Sequence, residues 1–158
     1  MLPAQGREIV ATGTFPSLQF VSTRYGAEVV HRITVTGPIT LKRRLPLYEA
    51  TLAANPSSAY FCILDNSAGH ENDLSFADIR VLDQKLVDAR IGHFYGATIT
   101  DDLAYPGIVE LANVNMSVTN IRGELLSTSD PAAAERFITE KLRLVAEATG
   151  RPIASDRR

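Results

Sequence analysis

A chain of 158 residues with 45% hydrophobic and 22% charged side chains has the makings of one globular domain with a sizeable core. Its net charge of −2 argues against a general binder of the nucleic-acid backbone, which needs a basic face. No apolar run approaches the ~20 residues that a membrane-spanning helix requires, and the single cysteine, Cys62, excludes an intrachain disulfide and an all-cysteine metal cage.

The start, MLPAQGREIV, lacks the basic-then-apolar order of an export signal, so a cytoplasmic location is expected. Residues 7 to 36 read as β-structure: Leu18, Phe20 and VVHRITVT (29 to 36) are rich in β-branched and aromatic side chains. Tyr25-Gly26-Ala27-Glu28 suits a hairpin turn in which Gly26 takes a positive φ, and Gly37-Pro38 stops the strand. LPLYEATLAA predicts a helix over 45–54 with Pro46 in its first turn, which leaves the preceding LKRR as a loop or a separate turn. Asn55-Pro56-Ser57-Ser58 closes that helix.

AYFCILD (59 to 65) is almost wholly apolar, as a strand buried on both faces should be. Phe76, Ile79, Leu82, Leu86 and Ala89 recur at helical spacing and predict a helix over 75–90 with Gly92 as its stop. Ser75 to Asp78 has the spacing of a capping box. HFYGATIT (93 to 100) reads as a second central strand. Ile108, Leu111, Ala112 and Met116 suggest a helix over 104–119, and GELLST (123 to 128) a short strand. Asp130 followed by Pro131 is the clearest helix start in the chain, and Gly150 ends that helix.

The order, a β-hairpin and then α-β-α-β-α-β-α, predicts an α/β fold: a mostly parallel central sheet, an N-terminal antiparallel β-hairpin at its edge, and helices packed on the faces. Residues 1–150 read as one domain and 151–158 as a polar tail.

No P-loop, dinucleotide-binding glycine motif, zinc-protease helix or serine elbow is present in the sequence. His31 and His93 fall on strands, where a satisfied structural imidazole is the ordinary reading. The polar positions that remain gather at the strand ends. Asp65 ends one central strand, Asp101 and Asp102 end the other, and ligands of open α/β sheets bind beyond such ends. Asn66, Ser67, His70 and Glu71 hang above on the loop, and Tyr105 opens the next helix facing the same way. Asp65, Asp101 and Asp102 could alternatively share Mg²⁺, with His70 as acid–base, in a metal-dependent hydrolase or phosphotransfer enzyme. Helix capping and turn chemistry explain many of these acids without any ligand.

Three stretches, VVHRITVTGPIT, AYFCILDNSAG and ELLSTSDPAAAERFITEKL, taken in this order, resemble the STAS superfamily, in particular the branch of bacterial anti-sigma-factor antagonists. The likeness covers residues 28 to 145 and extends to the CRAL-TRIO fold. It implies a STAS-like fold and a non-catalytic regulatory or binding role without a cofactor. The partner is a protein or a small ligand, and the reading leaves room for a homo-oligomer formed through a sheet edge or a helix. In antagonists a serine after the central strand is phosphorylated, which would single out Ser67 or Ser75. The longer loop here departs from the compact Asp-x-Ser-Gly pattern, and Glu71 and Asp73 would repel a phosphate at Ser75.

Overall fold

The protein's structure, a computed structural model, describes residues 8–102, 113 and 119–150. Six strands form one sheet in the order of the chain: β1 (Ile9–Phe15), β2 (Leu18–Tyr25), β3 (Glu28–Val35), β4 (Ala59–Asp65), β5 (His93–Ile99) and β6 (Arg122–Thr128). β1, β2 and β3 are antiparallel, whereas β3–β4, β4–β5 and β5–β6 pair parallel. The expected mostly parallel sheet with an antiparallel N-terminal edge is the one observed. That edge holds an additional strand: the 7–36 region contains a first hairpin, turning at Pro16-Ser17, before the anticipated one at Gly26, whose φ is +67°.

The described helices are α1 (Leu41–Ala54), α2 (Phe76–Asp88) and α3 (Pro131–Thr149). α1 lies against β1 and β2 and touches α2 on the first face of the sheet, while α3 lies against β4, β5 and β6 on the second. β4 therefore needs apolar side chains on both sides. Tyr60, Cys62 and Leu64 join the first core with Leu47, Leu82 and Leu86, and Ala59, Phe61 and Ile63 join the second with Ala134, Ile138 and Leu142. Each of the larger aliphatic side chains contributes roughly 2 kcal/mol of transfer free energy. The expected strand buried on both faces is confirmed.

Two helix boundaries differ from the sequence reading. α1 begins four residues earlier, because the Thr40 side chain accepts the Arg43 N–H and closes the first turn around LKRR. Pro46 consequently sits inside the helix, where it forfeits one ladder bond. α2 ends at Asp88 without help from Gly92. Arg90 takes the left-handed conformation (φ +63°), its N–H bonds to the Val87 carbonyl, and the Ile91 N–H bonds to the Leu86 carbonyl. That pair of bonds is a Schellman closure, with buried Ile91 and Leu86 as its apolar contact. The other caps follow the sequence. Ser75 and Asp78 form the capping box, Asp130 accepts the Ala132 N–H, and Gly150 ends α3 at φ +71°. The helix expected over 104–119 and the tail after 150 lie outside the described residues, Asn113 and Thr119 apart.

Candidate functional site

The connection from β4 to α2 is built from its backbone outward. Buried Asn66 follows the last residue of β4, and its own N–H bonds to the Ile99 carbonyl at 2.8 Å, which ties the loop to the end of β5. Its side-chain amide then grips one residue twice: Oδ1 accepts the His70 N–H at 3.0 Å and Nδ2 donates to the His70 carbonyl at 2.9 Å. The Asp65 carboxylate accepts the Ser67 N–H, and Gly69, at φ +80°, turns the chain between. Further on, the Ile39 N–H bonds to the Glu71 carbonyl and the Asp73 N–H to the Ile39 carbonyl, at 2.8 and 2.9 Å. The segment 66–73 is thus fastened at one end to the end of β5 and at the other to Ile39, in the connection between β3 and α1.

The outward side chains are what this framework leaves over. Ser67, Glu71, Asp73 and Asp101 are exposed, and neither Glu71, Asp73 nor Asp101 makes a side-chain hydrogen bond or ion pair among the described residues. Phe76, the first residue of α2 and close to Asp73 in the chain, is 44% exposed, unusual for so large an apolar side chain. Asp102 is exposed too, and its N–H bonds to the Thr100 hydroxyl. Of the sequence-predicted residues, Asp65, Asn66, Ser67, His70 and Glu71 share this loop, and the Asn66–Ile99 bond brings the β5 end alongside. Asp65 and Asn66 act on the loop's own backbone. Tyr105 lies outside the described residues. Among the described residues no group of three His, Cys, Asp or Glu side chains is arranged to hold a metal ion.

A second constellation has the outline of a catalytic triad. Ser22 Oγ lies 2.6 Å from His31 Nδ1, and His31 Nε2 lies 2.9 Å from Asn55 Oδ1. Asn55 Nδ2 donates to the Ser57 and Ala59 carbonyls, so its oxygen must face the imidazole and Nε2 must be the donor. Nδ1 then accepts the Ser22 hydroxyl proton and the ring is neutral. Burial pushes His31 down to about 4, against the opposing bond with Asn55. Ser22 and His31 are wholly buried, with Tyr60 stacked on the imidazole at 4.6 Å. No substrate reaches this serine, and its proton is already committed. The network fastens the end of α1 to β3 and β4. Cys62 is similarly inert, its thiol pushed up to about 12 by burial.

No family model matches the chain, and no curated protein matches it. Among solved structures the chain is similar to an uncharacterized protein from the DUF3478 family with a SpoIIAA-like (STAS-like) fold, from Shewanella loihica. The two are 18% identical with a TM-score of 0.48, over 81% of this chain and 98% of that one. That protein's description names no activity. No helix among the described residues is long and apolar enough to cross a membrane.

The second face of the sheet carries a feature that composition did not reveal. α3 covers β4 to β6 and reaches Tyr25, Val30 and Arg32 of β2 and β3, and beyond it a groove of about 300 Å³ crosses β1 to β3, lined by Thr12, Thr14, Gln19, Val21, Arg32 and Thr34. The side chains of Thr12, Thr14, Gln19 and Thr34 make no hydrogen bond among the described residues. Thr12 and Thr14 at alternate positions of a strand were the only sequence signal for it.

Proposed function

We propose that the protein is a non-catalytic regulatory or binding domain that engages a protein partner or small ligand at the strand-end loops, with its rim of exposed acids as the recognition surface. One observation supports this reading above others. The 66–73 backbone is held by hydrogen bonds at both ends, while Glu71, Asp73 and Asp101 remain exposed and unspent. A loop already fixed in place loses little entropy on binding, so its charges can be used for recognition. Acids around an exposed Phe76 suit a partner that offers basic groups about an apolar recess: the charges steer the encounter and the ring anchors it. Two titratable groups inside the fold, His31 and Cys62, are consumed by packing, which agrees with a domain that binds without chemistry.

The test uses partners captured on the intact protein and then purified. Their affinity should fall at least tenfold with Glu71→Lys or Asp101→Ala and weaken with salt, while both variants unfold at the wild-type denaturant midpoint. Equal binding by both folded variants removes the rim as the recognition surface.

A further inference from the structure

The two edges of the sheet are managed differently. On β6, Arg122 and Glu124 are exposed charges, Glu124 pairs with Lys141 at 3.0 Å, and the Asn113 amide occupies the outer backbone of Leu125, accepting its N–H at 2.9 Å. These are devices that keep a strand edge from adding another strand. β1, at the opposite end, has none of the charges: Ile9–Phe15 reads IVATGTF, without a charged residue or a proline. Its one irregularity, a bulge between Ile9 and Ala11, leaves Ala11 to Phe15 in regular register with β2.

The backbone of that regular segment is self-complementary. Phe15 and Leu18 close a two-residue hairpin, and in such a hairpin the closing pair is hydrogen-bonded and bonded pairs then alternate. By that alternation Phe15, Gly13 and Ala11 turn their amides toward β2, and Thr12 and Thr14 turn theirs outward. Thr12-Gly13-Thr14 is symmetric about Gly13. Gly13 has no room for a side chain, since a Cβ there would meet the Phe20 ring at 2.6 Å. The parallel rings of Phe15 and Phe20 lie against it.

We propose that β1 pairs antiparallel with β1 of a second copy of this chain, across a twofold axis through Gly13, giving one continuous twelve-stranded sheet. Thr12 of each copy faces Thr14 of the other, the two pairs exchange four backbone hydrogen bonds, and Phe15 lies over the partner strand's alanine on the first face. Threonine–threonine cross-strand pairs are favourable, and the uncharged edge sets no like charges against one another. On the second face the two grooves join across the axis, lined by the threonines of both copies. This interface lies at the sheet edge and is independent of the strand-end rim.

Sedimentation equilibrium over a hundredfold range of concentration tests the proposal. The wild type should show twice its 17.2 kDa chain mass. Thr12→Pro, which removes only an outward N–H, and Thr14→Lys, which sets two ammonium groups at the axis, should each restore the single-chain mass with an unchanged circular dichroism spectrum. Thr12→Cys/Thr14→Cys should cross-link on mild oxidation, and Arg122→Cys/Glu124→Cys should not. A wild type that is monomeric throughout, which would leave the edge to some other chain, overturns the proposal. So does a dimer that survives both Thr12→Pro and Thr14→Lys.

Discussion

Arg32 on β3 and Glu135 on α3 form a two-point ion pair across 103 positions of chain, at 2.6 and 3.2 Å. It joins the antiparallel half of the sheet to the helix that covers the parallel half. The side chains are 29% and 20% exposed, enough burial for the pair to escape most solvent screening. Glu135→Ala leaves the guanidinium with the Tyr25 hydroxyl alone, at 3.2 Å. The expected cost is about 1–2 kcal/mol in urea unfolding. Replacing both partners, Arg32→Met with Glu135→Leu, should cost less than Glu135→Ala. Additive losses would show that no coupling exists.

His31 makes stability depend on pH. Its folded pKa of about 4 is depressed below the ordinary imidazole value of 6.5 that it regains on unfolding. Between those values the unfolded chain binds the proton and the folded one does not. Its contribution is therefore complete above about 6.5 and is lost as pH falls toward 4, in total about 3 kcal/mol. Unfolding free energies of the wild type at several pH values between 7 and 4, set beside those of His31→Phe, isolate the effect: the variant starts less stable and declines less steeply. Parallel curves would remove His31 as the source.

Asn66 should govern the loop more than any residue within it. Asn66→Ala deprives the half-buried His70 backbone of both its Asn66 partners, and a loss of about 1–3 kcal/mol is expected. Hydrogen exchange at the His70 amide should rise well above that of β4 and β5. Exchange that stays slow there would mean that the Ile39 bridge alone holds the loop.

Gly123 is strained in a way that only glycine tolerates. Its φ is +150°, and a Cβ there would meet the Phe94 carbonyl oxygen at 1.8 Å. Gly123→Ala must push β6 from β5, with an expected cost of at least about 2 kcal/mol in thermal or urea unfolding. A change within 0.5 kcal/mol would mean that the pairing slides without penalty.

Features set by neighbours in the chain were legible before the structure. The Ser75–Asp78 box, the Asp130-Pro131 start and the two-faced β4 each depend on residues within one turn or one strand. Pro46 misled because a good cap at Thr40 outweighs one missing ladder bond, a balance that composition does not display. The Ser22–His31–Asn55 network was invisible for another reason: its members are 9 and 24 positions apart and meet only through the β2–β3 register. At the candidate site, Asp65 and Glu71 fall on one connection because they are close in sequence, but the part played by Asn66 depends on where His70 returns. The groove on the second face depends on which strands α3 spans, and no local pattern encodes that.

That placement of α3 also bears on how the chain is made. β1 to β3 are joined by tight turns and can pair as soon as they emerge, since little loop entropy is lost. Phe61, Ile63, Ala97 and Ile99 have no such recourse. They are completed before Ala134, Ile138 and Leu142 exist to cover them, and until then they form an apolar sheet surface open to water. Exposed apolar sheet of this kind is what makes a nascent chain prone to aggregate, and the last helix ends that exposure when it is delivered.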